Sequence, residues 1–168
     1  MVAGKQEGTV LLENARIIFR NFAGAEKTFN PAGRRNFSVV LDEDTAKQME
    51  ADGWNVKRRP PREDGDDELI HLQVTVSFKG RPPRLAMITS RGRTMLDADS
   101  CELLDYAEFD QVDLILRPYD WEVSGKTGRK AYLKSGYFNI REDELELKYA
   151  DVPDAGQAPH RDYSEDDE

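Results

Sequence analysis

Period-two alternation of apolar and polar residues runs through most of the chain, so the sequence reads as a β-protein. Leu69 to Phe78 shows the pattern most cleanly. Ile70, Leu72, Val74, Val76 and Phe78 fall on one side, and His71, Gln73, Thr75 and Ser77 on the other. That is a strand with one face in the core and one in water. Val10 to Phe22 reads as a long first strand with Ala15, Ile17 and Phe19 on one face; Arg34 to Leu41 is a second, beyond a turn-rich loop. Trp54 to Lys57 is a short extended piece, and Leu85 to Thr89 a further strand. Two strong strands come last, Val112 to Val123 and Arg129 to Ile140, joined by the hairpin signal Ser124-Gly125-Lys126-Thr127-Gly128.

Two short helices interrupt this pattern. Asp42-Glu43-Asp44-Thr45 supplies N-cap chemistry for a helix over Ala46 to Asp52, which Gly53 ends. Leu96 to Ala107 reads as the second, with Asp97 as its N-cap and Leu103, Leu104 and Ala107 on its buried side. Five to seven strands, two short helices and Gly/Pro-rich turns in about 140 residues favour a small barrel or sandwich over a layered α/β fold.

Charge divides the chain in two. Residues 142–168 hold 11 acids against Lys148 and Arg161, which accounts for the whole net charge of −9. Residues 1–141 hold 22 basic and 22 acidic side chains. The body is therefore neutral and able to gather its arginines locally, with an acidic strap attached. Such tails are solvated interaction segments. Next to a basic groove one can also compete with a polyanion, because charge neutralisation dominates nucleic-acid affinity. Beyond Tyr149 the composition turns to Asp, Pro, Ala, Gly and Gln, which predicts disorder. The expected division is a folded domain over 1–149 and a disordered acidic tail over 150–168.

No apolar run approaches the roughly 18 residues of a membrane span, and the N-terminus has no signal-peptide core. Cys101 is the sole cysteine, and His71 and His160 lie far apart. An internal disulfide and a Cys/His zinc cluster are thus both excluded, and a reducing cytosol fits. No Ser-His-Asp spacing, Walker loop or Gly-x-Gly-x-x-Gly is present. Gly125-Lys126-Thr127-Gly128 echoes a phosphate loop but lacks its upstream glycine and following helix, and reads as a turn. Asp97, Asp99, Glu102 and Asp105 could be drawn as a two-metal nuclease site. Their place at the start of a predicted helix is better explained by capping and the helix dipole. Neither an enzyme nor a cofactor is expected.

Binding features are richer. Basic clusters fall in loops: Arg34-Arg35, Lys57-Arg58-Arg59 with Arg62, Lys79 with Arg81 and Arg84, and Arg91 with Arg93. In the last hairpin, rings alternate with cations: Arg117, Tyr119 and Trp121, then Lys130, Tyr132 and Lys134. A four-residue loop between Ser124 and Arg129 would set Trp121 opposite Tyr132 and Tyr119 opposite Lys134, with all six on one face. A five-residue loop would split the set. Rings that stack on unpaired bases, with cations that follow the phosphates, are what sequence-tolerant single-strand binding requires. Trp121 and Tyr132 could equally fill the barrel core.

The segments Leu11 to Phe22, Arg81-Pro82-Pro83-Arg84 and Arg117-Pro118-Tyr119-Asp120-Trp121-Glu122-Val123 resemble bacteriophage single-stranded DNA-binding proteins of actinobacterial phages. Lys126-Thr127-Gly128 to Leu133 and Glu144-Leu145-Glu146-Leu147 extend the likeness to roughly residues 9–150. The resemblance implies a mainly β, OB-type Greek-key barrel that coats single-stranded DNA during phage replication, recombination and repair in the infected cell. It also implies a homodimer and an acidic tail that recruits phage or host replication and recombination proteins and guards the DNA groove. Such tails often end in an aromatic residue; this one ends Glu165-Asp166-Asp167-Glu168, with Tyr163 as the nearest ring. Two other readings remain: an acidic DNA mimic of the anti-restriction kind, and a metal-dependent nuclease. A mimic would spread its carboxylates over the folded surface, whereas this body is neutral and arginine-rich.

Overall fold

A computed structural model describes residues 2–6, 8–63, 65, 67–149 and 151–153. The expected tail, with Tyr163, Glu165, Asp166, Asp167 and Glu168, lies outside the described residues apart from 151–153.

Among the described residues the chain forms ten strands: β1 (Val2–Gln6), β2 (Thr9–Leu12), β3 (Arg16–Asn21), β4 (Arg35–Val40), β5 (Val56–Arg59), β6 (Leu69–Val76), β7 (Arg84–Thr89), β8 (Gly92–Leu96), β9 (Phe109–Val123) and β10 (Lys126–Ile140). Their order is β1-β2-β9-β10-β6-β4-β3, with β5 on β6 and the β7–β8 hairpin on β10. β6 and β10 are parallel, while β9–β10, β4–β6 and β3–β4 are antiparallel. Because β2 and β3 are two halves of one bent segment, β2 on β9 and β3 on β4, the ring closes through that bend. This is the OB-type Greek-key barrel. Inside it pack Phe22, Phe37, Leu72, Val74, Leu85, Leu114, Leu116, Leu133 and Phe138.

The expected long first strand is thus two. Asn14 turns the chain with φ 52°, a conformation Asn tolerates. Its amide donates to Asp113 Oδ1 at 2.8 Å, and the next amide, of Ala15, donates to the Val112 carbonyl at 2.7 Å. Phe19, also at φ 52°, reverses the alternation again, and the pairing with β4 slips between Ile18 and Asn21. Ala15 and Ile17 therefore pack on the core while Phe19 is turned out.

Helix α1 (Glu43–Ala51) forms with Asp42 as its N-cap, whose side chain accepts from the Thr45 amide at 2.7 Å. The second expected helix does not form over Leu96 to Ala107. Leu96 ends β8 opposite Leu85, and only Cys101–Asp105 makes a 3-10 turn. Asp97 closes the bend before it, its carboxylate accepting from the amides of Asp99 and Ser100 at 3.0 Å. Asp105 binds the amides of Phe22 and Ala23 at 2.6 and 3.0 Å, tying this turn to the end of β3. The acids once drawable as a metal site thus include two that serve backbone amides. A short α2 (Glu144–Lys148) follows β10.

The last hairpin is tighter than the four-residue loop. Ser124 and Gly125, both at positive φ (52° and 81°), form a two-residue turn. Trp121 consequently faces Gly128, Tyr119 faces Lys130, and Arg117 faces Tyr132. The turn shortens by an even number, so the rings and cations still share one face.

Candidate nucleic-acid interface

Registers across the sheet define the outer face of the barrel. Phe37, Val74 and Ala131 line one row toward the core, so their neighbours Asn36, Thr75 and Tyr132 point outward, and Arg117 lies opposite Tyr132. Continuing the registers, Ser38 and Gln73 share the next row, and Lys130 faces Tyr119 beyond them. The outward side chains of four adjacent strands thus make one surface, polar on β4 and β6 and aromatic-cationic on β10 and β9.

Over the β4–β6 half lies a groove of about 880 Å³. One wall is the loop between β3 and β4, including Lys27, Phe29 and Asn30; the other is β5, with Lys57 and Arg59; Phe19, Asn36, Ser38, His71 and Gln73 complete it. The loop is held by its own amides. Asn30 Nδ2 donates to the carbonyls of Ala25 and Arg34, each at 3.0 Å, and Asn36 donates to Asn30 Oδ1 at 2.8 Å. It presents Phe29 almost wholly to solvent, 96% exposed, and Phe19 is 53% exposed. A positive φ in a phenylalanine costs on the order of 1–3 kcal/mol, and such strain persists where surrounding structure imposes it. Here it sets an aromatic ring at the rim of a groove.

His71 forms part of the groove wall. It is buried, 3.2 Å from Ser38 Oγ through Nδ1, with Phe19 edge-on to its ring at 5.6 Å. Burial first, and then the charges of Lys57 and Arg59, hold its pKa below the ordinary value.

On the β9–β10 half, Tyr119 is half exposed and tilts against Tyr132 at 5.3 Å, while Arg117 lies over the Tyr132 ring at 5.0 Å. Trp121 lies across Gly128 so closely that a Cβ there would sit 2.5 Å from its Cζ2.

The basic residues singled out from sequence divide sharply. Lys57 and Arg59 border the groove, and Arg59 sits over the Phe19 ring at 5.6 Å. Arg58, between them, also contributes to the groove's lining, but its guanidinium turns away to acids. It bridges Glu43, Glu50 and Glu68 at 2.6, 2.9 and 3.0 Å, and holds the Glu43 and Glu50 carboxyls below the usual carboxylate range. Arg35 also turns inward, donating to the Phe22 carbonyl and packing over Phe78 at 5.3 Å, whereas Arg34 is exposed at the end of the loop. Lys130 is exposed on the face. Arg81, Arg84, Arg117 and Lys134 gather at its far end. Arg91 and Arg93 lie on the β7–β8 hairpin, Arg93 over Tyr137 at 5.7 Å, and Lys79 is exposed in the preceding loop. Sequence reasoning missed Phe19, Lys27, Phe29, Asn36, His71 and Gln73. A phenylalanine among Thr28, Asn30 and Pro31 was a signal for Phe29, since that loop has no core to enter.

Barrel topology and an outward face of rings and cations define an oligonucleotide-binding OB protein. The family described as "Putative phage ssDNA-binding domain" matches residues 2–167, and the chain belongs to it. Among solved structures, the single-stranded DNA-binding protein of bacteriophage Enc34 in complex with ssDNA is similar in fold. Its TM-score is 0.56 at 11% identity, over 82% of this chain and 89% of that one. A second structure of the Enc34 protein gives a TM-score of 0.53 at 13% identity, over 91% and 98%. No curated protein matches the chain significantly in sequence. No helix among the described residues is long and apolar enough to cross a membrane.

Proposed function

We propose that the single strand lies in the groove between the β3–β4 loop and β5, and continues over the tyrosines of β9 and β10. The observation that carries this reading is the placement of Phe19, Phe29, Tyr119 and Tyr132 on one outward surface with Lys57, Arg59 and Lys130. Rings offer stacking platforms that tolerate any base, and the cations neutralise phosphates without reading sequence. The amides of Asn36 and Gln73 add hydrogen-bonding groups to the groove floor. The protein coats and protects single-stranded DNA during phage replication, recombination and repair in the host cytoplasm, as a binder rather than a catalyst. Its acidic tail serves as a handle for replication and recombination proteins.

Anisotropy titrations with labelled oligo-dT and with duplex of equal length, with magnesium present, test this. Bases expose stacking faces only when unpaired, so the single strand should bind at least about tenfold tighter, uncleaved. Equal affinity for duplex would overturn the reading. Cleavage would revive the nuclease, and failure to bind either form would revive the DNA mimic.

A further inference from the structure

A second cationic basin opens at the far end of the same face, beyond the tyrosines. Arg81, Arg84, Arg117 and Lys134 converge on a cavity of about 420 Å³, together with Pro82 and Pro118. Among the described residues, no carboxylate forms an ion pair with any of these four cations. That separates the basin from Arg58, Arg129 and Arg141, each of which is bonded to acids. Four converging positive charges without a counter-charge repel one another, and a bound polyanion relieves that repulsion.

The backbone is shaped to make this cluster. The β9–β10 ladder slips between Leu133 and Ser135, leaving Lys134 as the extra residue of a bulge, a device that re-aims a side chain. Arg84 is set beside Ser135 by the parallel pairing of β7 with β10. Pro83, buried, anchors the loop that carries Arg81. Arg117 belongs to both regions, since its guanidinium covers the Tyr132 ring while it also lines the basin.

We infer that this basin is a separate phosphodiester-binding subsite, occupied by a further stretch of the same strand after it leaves the groove. The inference rests on the proposed path of the DNA and extends it. Asn36, Thr75, Tyr132 and Arg117 lie in one row across four neighbouring strands. At 4.7–4.9 Å per strand that row spans about 14 Å. At the stacked spacing of 3.4 Å per nucleotide, about four nucleotides cover it. Short oligonucleotides therefore reach no further than Arg117 at the edge of the basin, and longer ones also engage Arg81, Arg84 and Lys134. The basin lengthens the footprint of each protomer and supplies salt-sensitive affinity, while the groove supplies stacking.

The test uses the full chain and the double variant Arg84→Gln/Lys134→Gln, whose side chains are exposed and lie outside the groove. Both proteins are titrated across a salt series with oligo-dT of about 4 and about 16 nucleotides, the range covered by single OB folds. With the long strand, the slope of log K against log salt should become shallower by about 1.4, at 0.7 per lost phosphate contact. With the short strand, slope and affinity should match the parent. Equal losses with both lengths, or an unchanged slope with the long strand, would overturn the separate subsite. Failure of the parent protein to bind either strand would instead overturn the groove reading. Matching thermal melts of the two proteins establish that the substitutions leave the barrel folded.

Discussion

The guanidinium of Arg59 sits over the ring of Phe19, 5.6 Å from its centre, and joins the strained rim of the groove to the β5 wall. On the proposed path of the strand, this cation holds the ring presented for a base and is then released to a phosphate.

Replacing Phe19 should separate binding from stability. Glycine accepts a φ of 52° without strain, so Phe19→Gly relieves backbone cost as it removes the partly exposed ring. Loss of one stacking platform, about 1–3 kcal/mol, predicts oligo-dT binding weaker by roughly 5- to 150-fold. The melting temperature should change little. A large fall in melting temperature with unchanged affinity would mean that Phe19 serves the fold.

The hairpin offers a paired comparison. Trp121→Ala leaves Gly128 uncovered and should lower affinity if the indole stacks on bases. Gly128→Ala drives a methyl group to 2.5 Å from the indole and must displace the ring. Both should weaken oligo-dT binding, with the barrel intact by circular dichroism. Tryptophan quenching on oligo-dT addition, measured with Trp54 replaced, reports the same contact. No quenching and undiminished affinity would remove Trp121 from the DNA path.

His71 predicts a pH dependence. Its pKa in the fold lies below 6.5, so the ring is neutral at pH 7. The stability carried by the neutral ring is full above about pH 6.5, where the unfolded chain also leaves histidine neutral, and is lost as pH falls toward the folded-state pKa. Phosphates brought close by DNA favour the imidazolium and raise that pKa. Affinity at constant ionic strength should therefore rise as pH falls through the range where the ring of the complex titrates, with proton uptake on binding. His71→Gln should flatten that rise, and an identical pH profile in the variant would show that His71 does not sense the strand.

Removing residues 150–168 takes away seven acids and Arg161. If the tail competes for the groove, the shortened protein should bind oligo-dT more tightly. The gain should be largest at low salt and shrink toward half-molar, because the competition runs through screened charges. It should also lose contact with replication partners, measured by pull-down from infected cells. Unchanged or weaker DNA binding at low salt would leave the tail as a handle alone.

Local pattern determined much of this protein. Strands β4, β6 and β7, the Asp42 cap of α1 and the partition of charge follow from residues close together in sequence, because pleat, capping and composition are short-range properties. So does the shared face of Arg117, Tyr119, Trp121, Lys130 and Tyr132, since period two survives any even change of turn length. The tertiary structure decided which residues face the groove. Phe19 alternates as a core residue, and only its own positive φ, where the pairing of β3 with β4 slips, turns it outward. Lys57, Arg58 and Arg59 look alike in sequence. Pleating sends the middle one to Glu43 and Glu50 of α1 and to Glu68 just before β6. Whether a cation is free for phosphate depends on which distant carboxylates the fold brings beside it, and neighbouring residues do not encode that.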